Sequence, residues 1–479
     1  MPKTKTLGAV ALTSLLLASC AAVGPNFHAP AAPTTTGYAM AGDAAPGAGV
    51  RFGPPAAGPW WTEFGPPALD QLEQQAIAGS PSIAEADAAL DQARASLSEA
   101  QGGLNPSVDL NAGAQCERLN LSSFGFGGGL PGFSNNPEFS LYSVGGTVAF
   151  PLDIFGGQRR TIEGIVARGE SIARRGDAAA LTLTGQVATA AVQTAGLKAE
   201  IAAVEAMIAD DKQTGDLVRK AEAAGGEAEG ARVGAQTQLA RDEALLPPLR
   251  QALAVARHQL ALLVGKAPAD FAPPEFELKD FHAGVAPVAL PSDLVHLRPD
   301  IQQAEADLHA ATADVGVATA ALYPSLNLTA SLTQSALTPD KIFDFKSTAY
   351  NLGVGLAAPI YDGGRRRAER EGYRAAARVA LARYEQTVLL AFNQVADRLQ
   401  ALAHDDEAVA AEVKSETAAL DNLRLARAAY RLGGTGLLPL VDAERTAGDA
   451  RRSRVAAETR RALDTVQLII ASGARWTSK

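Results

Sequence analysis

The sequence predicts an α+β membrane protein, mostly long α-helices with four membrane-crossing β-strands per chain, laid out as an internal two-fold repeat. Three observations carry this expectation. A 30-residue segment recurs at an offset of 218, four stretches alternate strictly between apolar and polar residues, and the spans Pro151 to Pro247 and Pro359 to Pro439 are free of internal proline.

At the amino terminus, Lys3 and Lys5 precede the apolar stretch from Leu7 to Leu17, which runs into Leu17-Ala18-Ser19-Cys20. This is the layout of a secretory signal (1–19) closed by a lipoprotein cleavage box, so the mature chain is expected to begin at Cys20 and to carry a covalent lipid there. The apolar stretch falls short of the roughly 20 residues that a membrane helix needs. Ala21, in place of an acid, resembles the bacterial sorting pattern for the outer membrane of a Gram-negative cell.

Composition excludes several function classes. Without Lys3 and Lys5 the mature chain has 41 basic and 52 acidic residues, a net charge near −11 with no long basic run, so nucleic acid is not an expected partner. With Cys20 acylated, only Cys116 is left, which rules out an intrachain disulfide. His28, His258, His282, His296, His309 and His404 are scattered without ligand spacing, so neither a metal nor another cofactor is expected beyond the lipid. No nucleophile elbow or paired histidines mark an enzyme. Beyond the signal no stretch approaches eighteen consecutive apolar residues, so membrane insertion must use strands.

The repeat organises the rest of the chain. Pro81–Leu110 aligns without gaps to Pro299–Leu328 with 12 of 30 positions identical, including Ile83/Ile301, Leu90/Leu308 and Pro106/Pro324. Downstream, Pro151 and Gly156-Gly157 find counterparts in Pro359 and Gly363-Gly364, which mark strand-to-helix hinges, and Gly225-Gly226 matches Gly433-Gly434. Residues 20–65 read as a lipidated, extended linker, 66–280 as the first repeat and 281–476 as the second. Each half reads helix, strand, loop, strand, long helix, Gly-Gly break, helix.

The first helix of each half starts behind a proline, where Ser82 with Glu85 and Asp300 with Gln303 have capping-box form. In the first half, Ile83, Ala86, Leu90, Ala93 and Leu97 make an apolar stripe. Strict alternation follows at about 105–116, 139–151, 323–334 and 348–359, which predicts one hairpin per half with an apolar and a polar face. A soluble sandwich has the same alternation. Lengths near ten residues, aromatics at strand ends (Tyr142, Phe150, Tyr323, Tyr350) and small neutral polar faces favour a membrane crossing. The glycine-rich Phe124–Gly129 then reads as an extracellular loop; no Lys-Ser or Lys-Thr follows to make it a phosphate loop.

Four strands cannot close a membrane barrel, so the chain must oligomerise; two copies supply eight strands and three supply twelve. The proline-free spans predict very long helices. One running from Gly157 to Ala223, 67 residues at about 1.5 Å each, reaches roughly 100 Å, unless Gly176, Gly185 or Gly196 breaks it. Ala375, Val379, Ala382, Gln386, Leu389 and Val395 suit a helix-packing stripe. The Gly-Gly turns would lie at the far pole from the strands and form an inner mouth.

Several further stretches complete the pattern: Val23-Gly24-Pro25-Asn26-Phe27, Trp60-Trp61 with Phe64, Leu297-Arg298-Pro299-Asp300-Ile301, Tyr323-Pro324-Ser325-Leu326, Pro359 to Gly364, and Ala429-Tyr430 through Asp442-Ala443. With them the whole mature chain resembles the TolC-like outer-membrane efflux proteins, specifically their NodT-type lipoprotein branch. That resemblance implies a homotrimer with a 12-stranded β-barrel, a periplasmic α-barrel, and partnership with a periplasmic adaptor and an inner-membrane pump of the RND type. It further implies a passive conduit for drugs or other small molecules, anchored among outer-membrane lipid. It places a gate at the helix tips, where Tyr430 and Asp442 match a tyrosine and an acid; the earlier acid is Pro439 here. Tyr430 also reads as a packed aromatic and Asp442 as a helix cap. Glu229 and Arg232 lie near the equivalent first-repeat turn as interhelix partners. A protein-secretion channel is the alternative within the class, and a lipidated periplasmic adaptor the alternative outside it; an adaptor would carry one helical hairpin between β domains.

Overall fold

The computed structural model describes residues 22–45, 50–53, 58–120, 136–281, 286–474 and 476. Residues 1–19, Cys20, Phe124–Gly129 and His282 lie outside the described residues. The elements of the first half are β1 (Val50–Phe52), α1 (Trp61–Phe64), α2 (Pro67–Gly79), α3 (Pro81–Gly102), β2 (Ser107–Arg118), β3 (Glu138–Leu152), α4 (Gly157–Ala223), α5 (Glu229–Glu243) and α6 (Leu246–Leu263). Those of the second are β4 (Ala286–Val288), α7 (Pro291–Leu297), α8 (Pro299–Ala320), β5 (Ser325–Ala336), β6 (Thr348–Ala357), α9 (Arg365–Arg431) and α10 (Leu437–Ala471).

The halves correspond in length. α3 and α8 have 22 residues each, and α4 and α9 have 67 each. α4 passes unbroken through Gly176, Gly185 and Gly196, because glycine serves packing there. A Cβ at Gly185 would stand 2.2 Å from Ile470 Cδ1, and one at Gly196 2.6 Å from the Thr459 side chain. The halves differ after the Gly-Gly turns. α10 is one helix of 35 residues, whereas its counterpart splits into α5 and α6, with Pro247 and Pro248 in the first turn of α6.

The chain forms two compact units that cut across the repeat. The first contains the described residues up to Ala29 with Leu90–Ser171 and Glu305–Arg383. It holds a four-stranded antiparallel sheet in the order β2-β3-β5-β6. Register follows the alternation: Val108, Val148, Ala330 and Leu352 form one apolar cross-strand row, and Asp109, Thr147, Ser331 and Asn351 the neighbouring polar row. β2 and β6 are unpaired edges, 12 and 10 residues long. A tilted bilayer crossing takes about 9–11 residues, so strands of this length suffice. No described helix is long and apolar enough to cross a membrane.

The second unit, Pro30–Ala89, Ile172–Ala304 and Tyr384 onward, holds the larger core. Trp60, Trp61, Phe64, Leu69 and Leu72 pack with Val187, Leu260, Phe276, Leu294, Ile301, Val395 and Leu468. Each side chain of this size contributes about 1.5–3 kcal/mol when fully buried. The indoles keep their polar edges satisfied: Trp60 Nε1 donates to Thr184 Oγ1 and Trp61 Nε1 to Asp70 Oδ1. The segment before Gly65 also supplies β1, which pairs in parallel with β4.

Two local expectations are corrected. The capping boxes do not form, because helices α3 and α8 begin at Pro81 and Pro299, which puts Ser82 and Asp300 inside the first turn. Proline at the first helical position gives up no hydrogen bond, and each helix starts two residues nearer the N-terminus than a cap at Ser82 or Asp300 would set it. On α9 the buried stripe is Tyr384, Val388, Ala391, Val395, Leu399 and Leu402; of the expected residues Val395 belongs to it, while Val379 and Leu389 stand exposed. Both faces carry apolar residues at helical spacing, so periodicity alone could not choose between them.

Candidate functional site

The helix turns of the second unit are built alike. Gly225 and Gly433 adopt φ of 77° and 71°, and Gly226 and Gly434 donate back to the carbonyls of Ala221 and Ala429 at 2.9 and 2.8 Å. This is the left-handed helix stop that favours glycine. A Cβ at Gly225 or Gly433 would meet nothing within 4 Å, so conformation rather than crowding demands the residue.

Tyr430 lies in the last turn of α9 and packs against the small core of Ala419, Leu423, Leu440 and Ala443. Its hydroxyl donates to Glu227 Oε1 at 3.3 Å. Burial, then the Glu227 charge, pushes the phenol pKa up. The packed-aromatic and hydrogen-bonding roles therefore coexist. Arg232 pairs with Glu222 and with Glu229, both at 3.1 Å, so Glu229 and Arg232 find their partners within the first hairpin. Asp442 does not cap α10: the helix already starts at Leu437, with Pro439 in its first turn. The Asp442 side chain is 70% exposed and stands 3.5 Å from Arg445.

Beside the turns lies a buried polar cluster that sequence reasoning missed. Glu444, whose side chain is 5% exposed, accepts hydrogen bonds from Thr214 Oγ1 at 2.7 Å and Arg427 Nη2 at 3.1 Å. Arg427 also pairs with Asp210 at 2.7 Å, so one guanidinium joins α4, α9 and α10. Burial outweighs these hydrogen bonds and raises the Glu444 carboxyl. Next to it, burial and a hydrogen bond with Asp242 push Asp211 up to about 8. Asp211 of α4 thus faces Asp242 of α5 with its carboxyl held toward the protonated form. The signal was in the spacing. Asp211 and Thr214 fall on the buried face with Val204, Ile208 and Val218, and Glu444 falls on that of Leu440, Ala443 and Ala447. A second carboxyl pair lies between α9 and α10, where burial and Asp464 raise Asp405 to about 6.

The hinges lie in the first unit. Pro151 sits within β3 opposite Asn327, and Gly157 opens α4. Pro359 follows β6, and Gly363 and Gly364 adopt φ of 67° and 89° ahead of α9. Each hinge carries an aspartate to which the sequence alone assigned no role. Asp153 accepts from the backbone N–H of Gln158 and Arg159, and Asp362 from those of Gly364 and Arg366. Gly156 has φ of 76°, and a Cβ there would come within 2.4 Å of Ala22 Cβ.

That contact belongs to a lock on the N-terminal segment. Val23 donates to the Phe155 carbonyl at 3.1 Å, and the buried Arg160 donates to the Val23 carbonyl at 3.2 Å and to Asn26 Oδ1 at 2.7 Å. Arg160 also pairs with Glu163, which contacts His309 at 3.1 Å, and Phe27 stacks on the His309 ring at 4.4 Å. Gly24 leaves only 2.6 Å between an added Cβ and Gly316 Cα. Val23, Gly24, Asn26 and Phe27 each thereby have a structural role.

The comparisons agree with this geometry. The chain is 30% identical over 421 residues to the pyoverdine export outer membrane protein OpmQ of Pseudomonas aeruginosa, with 88% of each chain covered. It is 28% identical to nodulation protein T of Rhizobium leguminosarum bv. trifolii, covering 96% of both. Among solved structures, the outer-membrane channel OprN superposes with a TM-score of 0.84 at 29% identity, covering 95% of this chain and 99% of that one. The model of the outer membrane efflux protein family matches residues 72–266 and 290–474, one match to each repeat. The chain belongs to the outer membrane efflux protein family, and it is an efflux channel of the Gram-negative outer membrane.

Proposed function

We propose that three copies assemble into a lipid-anchored conduit that passes small molecules to the cell exterior without chemistry on them. The observation that carries this is the pair of open sheet edges. β2 and β6 run antiparallel to each other, so β6 of one copy can pair with β2 of the next in the pattern already used inside the sheet. Val108, Leu110, Leu352, Val354 and Leu356, each 69–80% exposed, would then face lipid and Asp109, Thr147, Ser331 and Asn351 the lumen. Three copies give the twelve strands that the family resemblance implies.

Acylated Cys20 supplies the anchor. At the helix turns, Leu432 and Leu438, 87% and 80% exposed, offer an apolar contact for a periplasmic adaptor, which in turn engages an inner-membrane pump of the RND type. Relatives named for pyoverdine export and antibiotic efflux support small molecules as cargo. The test is drug sensitivity of a deletion strain with and without this gene. Restored resistance is expected from the intact gene, and unchanged sensitivity in every strain would overturn the efflux role.

A further inference from the structure

The apolar face of the strands ends at the second hinge, and the residues there are unusually exposed. Ile360 and Tyr361, three and four positions past β6, are 92% and 91% exposed. Arg365, Arg366 and Arg367 follow. Arg366 is held by Asp362 and by the Ala321 carbonyl, which accepts from its Nη1 at 2.6 Å. Arg370 and Arg374 share Glu371. Arg365 and Arg367 stand exposed and have no ion pair among the described residues.

This patch connects to the anchored terminus. Two residues past Ala321, the Tyr323 ring stacks on Phe155 at 4.7 Å, and the Phe155 carbonyl accepts from Val23. Cys20 is three residues from Val23, at most about 10 Å of chain. The end of the lipid-facing strands, the Phe155 and Tyr323 rings, the uncovered Ile360 and Tyr361, and Val23 at the start of the described chain thus belong to the first unit.

We propose that this collar seats on the periplasmic leaflet, with Arg365 and Arg367 binding the phosphate groups of anionic phospholipids. Continuity with the lipid-facing strands sets the depth. At that depth aromatic side chains sit between acyl chains and water, and guanidinium forks match phosphate oxygens in pairs. The inference rests on the lipid-embedded channel reading above.

The test compares phosphatidylglycerol with phosphatidylcholine retained by the detergent-purified full-length protein, read by native mass spectrometry, alongside channel conductance. The wild type is expected to retain phosphatidylglycerol preferentially. Arg365→Gln with Arg367→Gln should lower that preference by about fivefold per arginine, at unchanged conductance, and Arg365→Lys with Arg367→Lys, which keeps the charge but not the fork, should fall between wild type and the glutamine variant. Equal retention of the two lipids by a conducting wild type would overturn the collar and leave the channel standing. So would glutamine variants that fall apart into single copies, since the arginines would then join subunits. A wild type that neither assembles nor conducts would remove the channel reading itself.

Discussion

The Tyr430 hydroxyl donates to the Glu227 carboxylate at 3.3 Å, and this bond ties the end of α9 to the residue following the first Gly-Gly turn. The two turns are therefore coupled through a group that can let go while its ring stays packed.

Tyr430→Phe keeps the ring on the small core that includes Leu440 and Ala443 and removes the bond to Glu227. Net stability should change by no more than about 1 kcal/mol. Single-channel conductance in planar bilayers should rise as the turns separate; identical currents would show that the bond gates nothing.

Asp442 bears on the same mouth from an exposed position. In a trimer, three copies of Asp442 would ring the opening, so Asp442→Ala should raise conductance or alter its pH dependence. Currents that match wild type across pH would remove Asp442 from the gate.

Arg427 holds two acids at once. Arg427→Ala leaves Glu444 buried against Thr214 without its cation, at a cost of about 1–3 kcal/mol. Adding Glu444→Gln should recover part of that loss in a double-mutant cycle of thermal unfolding, and strictly additive losses would deny the coupling.

Stability should depend on alkaline pH through Asp211. Its carboxyl titrates near 8 in the folded chain, because of burial and Asp242, but near 4 when unfolded. Folding therefore takes up a proton between those values. The contribution is complete below about pH 4 and is lost as pH climbs through about 8. Hydrogen exchange around Asp211 and Asp242, corrected for intrinsic rates, should speed up on going from about pH 6 to about pH 9. The Asp211→Asn variant should show a flatter response; equal pH dependence in both would contradict the raised Asp211 carboxyl.

Much of the fold was legible because its signals are one-dimensional. The absence of proline after Gly157 marks a 67-residue helix that the structure keeps whole, and period-two alternation foretells the row from Val108 to Leu352. The repeat carried these readings from one half to the other. What escaped depends on partners distant in sequence. Glu444 looks like any helix acid until Thr214 and Arg427 close on it, and Arg160 gives no hint that Val23 and Asn26 will meet it. The α9 stripe failed for a related reason. Two apolar faces compete on one helix, and tertiary contacts with the N-terminal half bury the one through Tyr384 and Val388.

Sealing of β6 against β2 of another copy is tested most directly by the mass and conductance of the purified protein in one preparation. A three-copy assembly that conducts ions across a planar bilayer is expected. A protein that remains single-copy in detergent and passes no current would contradict it.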